Sequence, residues 1–222
     1  MLMNLNIPIC KVIKYYNNAA KIIDISGLTP SYKRWLKAEE NILTRIVPEK
    51  ATILEIGAGR GRIIDALNNG KREITGIEIA NLSFLKNKYK NNRKIQILQM
   101  DAQNLLFKDN SFDICLMMYN TLGLMNNPIK VLKDCERVTC KNGKIIVSTY
   151  GIDKKYVLKE RIKCFSKIGH EVKVKGLQLE INNGVTSHYF KEDELKKLFR
   201  ETKLKPGYYS LTNLGCIWIA KK

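Results

Sequence analysis

The chain has 222 residues, 45% hydrophobic and 27% charged, which suits one large domain or a domain with an appendage and excludes disorder as its main state. Its apolar runs, such as 53–58 and 115–119, fall far short of the roughly 18 residues of a membrane span, and residues 1–10 have no basic stretch ahead of their apolar residues as a secretory signal would. Thirty-nine basic against 21 acidic residues give a net charge of +18, a field that attracts polyanions, although 30 of the 39 are Lys in a chain also rich in Asn and Ile, as AT-biased coding produces.

Residues 10–25 carry apolar side chains at mixed helical spacing, and Thr29-Pro30-Ser31 is a start signal for a second helix with Trp35, Leu36, Ile42, Leu43 and Ile46. From Ala51 the rhythm changes. Short β-branched runs at 52–56, 74–79, 95–100, 112–118 and 144–149 are predicted strands, and the segments between them read as helices. That alternation predicts a parallel sheet covered on both faces. Residues 151–190 break the rhythm: eight Lys or Arg lie between Asp153 and Lys175, and the segment reads as an inserted cap of one helix and two strands. An amphipathic helix over 191–201 opens with acids, favourable to its dipole, and two strands at 208–211 and 215–220 form a closing hairpin. The predicted division is an N-terminal helical lid (1–50), a core (51–150), a cap (151–190) and a helix and hairpin that complete the core (191–222).

Six cysteines, at positions 10, 115, 135, 140, 164 and 216, form no C-x-x-C pair, and the two histidines, His170 and His188, have no ligand spacing to any of them. No metal site is predicted, and reduced core thiols point to the cytoplasm.

The most informative run is Ile53-Leu54-Glu55-Ile56-Gly57-Ala58-Gly59-Arg60-Gly61-Arg62, a strand feeding a glycine turn and a helix. Glycines allow the sharp turn and the close approach of a ligand to the main chain. A dinucleotide fingerprint, G-x-G-x-x-G, needs its third glycine where Arg62 stands, and Glu55 would repel a pyrophosphate but suits a cationic amino-acid group. The E-x-G-x-G-x-G pattern resembles motif I of class I S-adenosylmethionine-dependent methyltransferases. Three further segments fit the resemblance: Glu78 at the end of the second strand, Asp101-Ala102 after the third, and 104–113 (NLLFKDNSFD), similar to the family's LPFxDxSFD run. A fourth, 184–195, looks like its S-x-x-F-s-x-e-E-L segment. The resemblance implies a Rossmann-like α/β fold, with a seven-stranded mostly parallel sheet, a C-terminal antiparallel hairpin, helices on both faces and a small inserted cap.

It also implies S-adenosylmethionine as cofactor, held by Glu55, Gly57, Ala58, Gly59, Gly61, Glu78, Ile79, Asp101, Ala102, Met118 and Asn120. Glu78 would accept hydrogen bonds from the ribose hydroxyls, and Asp101 from the adenine amine. After the fourth strand Tyr119-Asn120-Thr121-Leu122 replaces the N/D-P-P-Y tetrad of enzymes that methylate base amines. His188 is a candidate general base and Tyr119 a candidate contact at the reacting centre. Tyr15, Tyr16, Tyr32 and Trp35 are candidates for a lid, with core packing the safer reading of Trp35. Three functions stay open: a methyltransferase acting on a small molecule, the favoured one; an RNA methyltransferase using the basic surface, including Lys86, Lys88, Lys90, Arg93 and Lys94; and a non-catalytic nucleotide-binding module.

Overall fold

Helix α1 (Ile9–Ala19) and helix α2 (Pro30–Ile46) precede the alternating part of the chain. Pro30 lies in the first turn of α2, where its missing N–H costs nothing. The computed structural model describes residues 8–19, 28–80, 82–167, 169–182, 185–202 and 204–222, so the far end of the predicted first helix, residues 20–25, and Gly184 lie outside the described residues. Strand β1 (Thr52–Ile56), helix α3 (Arg62–Leu67), β2 (Glu73–Glu78), α4 (Leu82–Tyr89), β3 (Ile95–Gln99), β4 (Phe112–Met117), α5 (Pro128–Val138) and β5 (Thr139–Tyr150) follow in turn. Then come α6 (Lys154–Lys167), β6 (Val172–Lys175), β7 (Gln178–Ile181), β8 (Val185–His188), α7 (Glu192–Glu201), β9 (Pro206–Ser210) and β10 (Gly215–Lys221).

Seven strands make one sheet in the order β3-β2-β1-β4-β5-β10-β9. β1 to β5 pair in parallel, and β10 runs antiparallel to both β5 and β9. This is the predicted fold. Its core follows from period-two alternation in strands buried on both faces. Leu54 and Ile56 of β1 pack with Val131, Leu132, Leu198 and Trp218, while Ile53, just ahead of them, joins Leu43, Ile63, Ile64 and Leu85 on the opposite face.

Four segments depart from the sequence expectation, the first being 101–111 between β3 and β4, which is turn and loop where a helix was expected. The cap holds three strands, β6 to β8, in a separate antiparallel sheet, where two were expected; each is only four residues long, and β6 stays mostly exposed although its Val-Lys-Val-Lys run alternates. β5 starts five residues early, because its first residues continue the sheet through an irregular register opposite Phe112 and Ile114, with Asn142 at φ 68°. β9 starts at Pro206, two residues ahead of the expected strand; Pro is tolerated at the first position of an edge strand.

Candidate active site

Strand order reverses between β1 and β4, so the chain leaves their C-terminal ends in opposite directions and opens the crevice in which open α/β sheets bind ligands. A cavity of about 830 Å³ occupies it, lined among others by Glu55, Gly57, Ala58, Gly59, Glu78, Ile79, Asp101, Ala102, Met118 and Asn120. Ten of the eleven residues that the resemblance assigns to the cofactor are therefore brought to one cavity. The exception is Gly61.

Gly57, Gly59 and Gly61 all have positive φ (73°, 56° and 79°). The N–H groups of Gly57 and Ala58 both donate to the Ile77 carbonyl, at 3.0 and 3.1 Å, which pins the turn to β2. A Cβ on Gly57 would sit 2.7 Å from the Thr121 side chain, whereas one on Gly59 would meet nothing closer than 3.9 Å. Gly59 thus leaves open space on the cavity side, and Gly57 leaves room for a neighbouring loop. Gly61 caps α3, and the space a Cβ would fill there holds the Tyr89 hydroxyl, which donates to the Gly61 carbonyl at 2.9 Å. Its role is packing against α4.

The three acids differ in their partners. Glu55 is 4% exposed, and its Oε2 has no hydrogen-bond partner. Burial pushes its carboxyl up to about 8, with Arg62 opposing. A buried carboxylate oxygen of this kind costs free energy until a cation or donor reaches it, and a ligand ammonium fits that need. Glu78 accepts from the main-chain N–H of Gly59 at 2.9 Å through Oε2, and from Ile79 at 2.8 Å and Ala80 at 3.3 Å through Oε1. It therefore joins the end of β2 to the glycine turn. Asp101 accepts from the Gln103 N–H at 2.9 Å through Oδ1.

After β4 the chain makes a kink in which Tyr119 and Asn120 are consecutive residues at φ 52° and 58°. Asn tolerates this region, but Tyr does so at a cost of about 1–2 kcal/mol. The kink is held by Glu39 of α2, fully buried, whose carboxylate accepts from the Tyr119 N–H at 3.1 Å, from the Ser148 hydroxyl, and from Arg62. Burial disfavours the Arg62 charge, yet Glu39 and Glu40 outweigh it and keep the guanidinium firmly protonated. The Asn120 amide donates to Ser187 Oγ and the His188 carbonyl, both at 3.1 Å. A carbonyl can only accept, so the amide orientation is fixed and its Oδ1 is left buried without a partner.

His188 does not belong to the cavity lining. Its Nε2 lies 3.5 Å from Glu194 of α7, and its ring meets Phe190 edge-on at 4.6 Å. Of the four lid candidates, Tyr15 and Tyr16 line the cavity, whereas Tyr32 and Trp35 are fully buried behind it in a cluster with Tyr150. Tyr16 and Glu78 line the same cavity, so α1 closes near the end of β2, where burial, with Tyr15 and Glu78 adding to it, pushes the Tyr16 phenol up. Linear motifs did not mark Glu39 or the cavity residues Tyr150, Phe165 and Ile181, and Ser187 stood in the 184–195 motif without an assigned role. Glu39 alone left a trace: it interrupts the apolar stripe Trp35, Leu36, Leu43 of α2, where an acid has no packing reason to be.

Comparison with known proteins accords with this geometry. The family model described as a methyltransferase domain matches residues 54–147. The Bacillus subtilis protein YqeM is 30% identical over 140 residues, 61% of this chain and 55% of that protein. Demethylmenaquinone methyltransferase of Bacillus licheniformis is 30% identical over 145 residues, 61% and 58% of the two chains. The chain thus spans a little over half the length of these curated relatives. Among solved structures, the 1,6-didemethyltoxoflavin-N1-methyltransferase of Burkholderia thailandensis, with bound 1,6-didemethyltoxoflavin and S-adenosylhomocysteine, superposes with a TM-score of 0.71 at 14% identity, over 96% of this chain and 86% of that one. A Pyrococcus horikoshii protein superposes with a TM-score of 0.70 at 17% identity, over 94% and 98%.

Proposed function

We propose that the chain is a class I S-adenosylmethionine-dependent methyltransferase, as its match to the methyltransferase-domain model over residues 54–147 supports, and that it methylates a small molecule held in the half of the cavity roofed by α1 and the 151–190 cap. The observation that carries this reading is the lining of that half. Tyr15, Tyr16, Tyr119, Tyr150 and Phe165 surround it, with Leu28, Ile181 and Ser187, and none of these residues bears a formal charge. Such a wall suits an apolar or aromatic acceptor. Demethylmenaquinone and didemethyltoxoflavin, named for two similar proteins, are of that kind.

When bound, S-adenosylmethionine supplies a methyl group on a sulfonium, and displacement from it asks for contact and in-line alignment more than for any one side chain. Glu55 takes the cationic amino group. Gly59 lets the ligand approach the main chain, and Asp101 with the Ala102 N–H takes the adenine. Glu78 already receives three N–H groups of the about four its two oxygens can accept, so binding a ribose diol displaces the weak bond from Ala80. Asn120 Oδ1, buried and unpartnered, accepts from a donor on the acceptor molecule or on the amino-acid end of the cofactor. Glu39 acts through Tyr119 and Arg62, as a positioning residue. The lid, core and cap division follows the same logic, with α1 and the described residues of the cap building the acceptor half.

Among the described residues no helix is long and apolar enough to cross a membrane, and all six cysteines are free thiols. We place the protein in the cytoplasm on that thiol usage. The charge of +18 favours a second reading, RNA as acceptor. Methyl-labelled cofactor offered with total RNA and with a metabolite extract separates the two. Label should pass to the metabolite fraction at about 150 mM salt, near physiological ionic strength. Label found in RNA alone would reverse the assignment.

A further inference from the structure

The chain has two imidazoles, and the one that no motif marked, His170, stands behind the acceptor half of the cavity. It is 6% exposed, and its ring packs against Phe165 of α6 at 6.1 Å and Tyr15 of α1 at 5.6 Å, both of which line the cavity. Its Nε2 lies 3.4 Å from the Tyr15 hydroxyl, and its Nδ1 faces Asn182 Nδ2.

The hydrogen bonds fix where the protons sit. The Glu171 main-chain N–H donates to Asn182 Oδ1 at 2.8 Å. Turning the Asn182 amide over would set its own N–H groups against that donor, so Nδ2 is the atom that faces the imidazole. Nδ2 is a donor, and His170 Nδ1 must therefore accept, which places the ring proton on Nε2. Nε2–H in turn donates to the Tyr15 oxygen. Burial pushes the His170 pKa down and the Tyr15 phenol up to about 12, so the ring is neutral and the phenol keeps its proton at neutral pH. The Tyr15 proton cannot point at His170, because a donor already occupies that direction. It is left for a partner in the cavity.

We propose that Tyr15 is a specificity-determining residue whose hydroxyl proton is turned into the cavity by a tautomer-locked His170, so that the site selects a flat, apolar acceptor carrying a hydrogen-bond-accepting oxygen or ring nitrogen. The inference rests on the methyltransferase reading of the cavity. Tyr15 supplies the polar recognition that the uncharged aromatic wall lacks, and His170 and Asn182 are positioning residues.

Two measurements test it. With only His170 and His188 in the chain, nitrogen-15 labelling of histidine gives two resolvable rings. At pH 7 the His170 ring should be the neutral Nε2–H form, and Asn182→Asp should move the proton to Nδ1; a wild-type ring that is charged, or protonated on Nδ1, overturns the lock. The second measurement uses quinoline and naphthalene, flat bicycles that differ by one ring nitrogen and have no other hydrogen-bonding group, with protein saturated with S-adenosylhomocysteine. Wild type should prefer the quinoline by roughly 5- to 10-fold, the worth of one hydrogen bond. Tyr15→Phe and His170→Phe, which keep the ring stack, should remove that preference while S-adenosylhomocysteine affinity stays within about twofold. Equal binding of both probes to wild type, or binding of neither, overturns the acceptor class. Failure of S-adenosylhomocysteine itself to bind counts against the methyltransferase reading instead.

Discussion

The two halves of the cavity are built from different material. On the donor side, main-chain groups at the C-terminal ends of β1 and β2 do most of the work: Gly57 and Ala58 are tied to Ile77, and Gly59 to Glu78, within a few residues of the sheet. On the acceptor side, side chains from α1, α6, β7 and β8 meet only through tertiary contacts such as Tyr15 with His170, 155 positions apart. Recognition by main chain requires particular residues at fixed spacing, whereas recognition by side chains can be assembled from any segments that the fold brings together. The first half therefore tolerates little substitution, and the second is where specificity can drift without loss of the fold.

The largest effects should come from the glycine turn. Gly59→Val places a side chain in the open space beside the turn and forces a β-branched residue to φ 56°. Affinity for S-adenosylhomocysteine should fall beyond the reach of calorimetry while the thermal unfolding midpoint drops only modestly. Gly57→Val should lose both binding and several degrees of stability, since its Cβ meets Thr121. Unchanged affinity in Gly59→Val would remove the turn from the site. Next in size are Glu78→Ala and Asp101→Ala. Each removes one partner of a polar contact, worth about 1–3 kcal/mol or roughly 5- to 150-fold in affinity. Glu78→Ala should be the costlier, because it also frees the N–H groups of Gly59, Ile79 and Ala80. If Asp101→Ala proves worse, Glu78 serves chiefly the turn.

The same contrast explains how far the sequence was legible. The β1 to β5 alternation and the Glu55-x-Gly-x-Gly run were readable because strands and tight turns constrain neighbours in the chain. Gly61 misled for the same reason: a glycine at motif spacing reports a backbone need, and here the need is room for Tyr89. His188 misled because an imidazole type says nothing about direction, and the β8 end turns its ring toward Glu194 and Phe190. Tyr150 and His170 were unreadable, and Glu39 left no more than its break in the α2 stripe, because their partners, Tyr32, Tyr15 and Arg62, lie tens of residues or more away and are joined only by the fold.

The smallest effect sharpens the donor half through its one carboxyl held neutral by burial. The Glu55 pKa is raised from 4.5 to about 8, so the unliganded protein favours the protonated acid. A raised folded-state value stabilises fully below the unfolded value of 4.5, and that contribution is lost as pH rises through about 8. Thermal stability without ligand should therefore decline between those limits, and Glu55→Gln should flatten the decline. Binding an ammonium group requires the ionised carboxylate, so at pH 7 binding should release close to one proton, and affinity should rise by about tenfold per pH unit from 6 to 7.5. Calorimetry in buffers of different ionisation enthalpy measures that proton directly. Proton release that persists in Glu55→Gln would assign it to another group and leave the orphaned Oε2 without a role in binding.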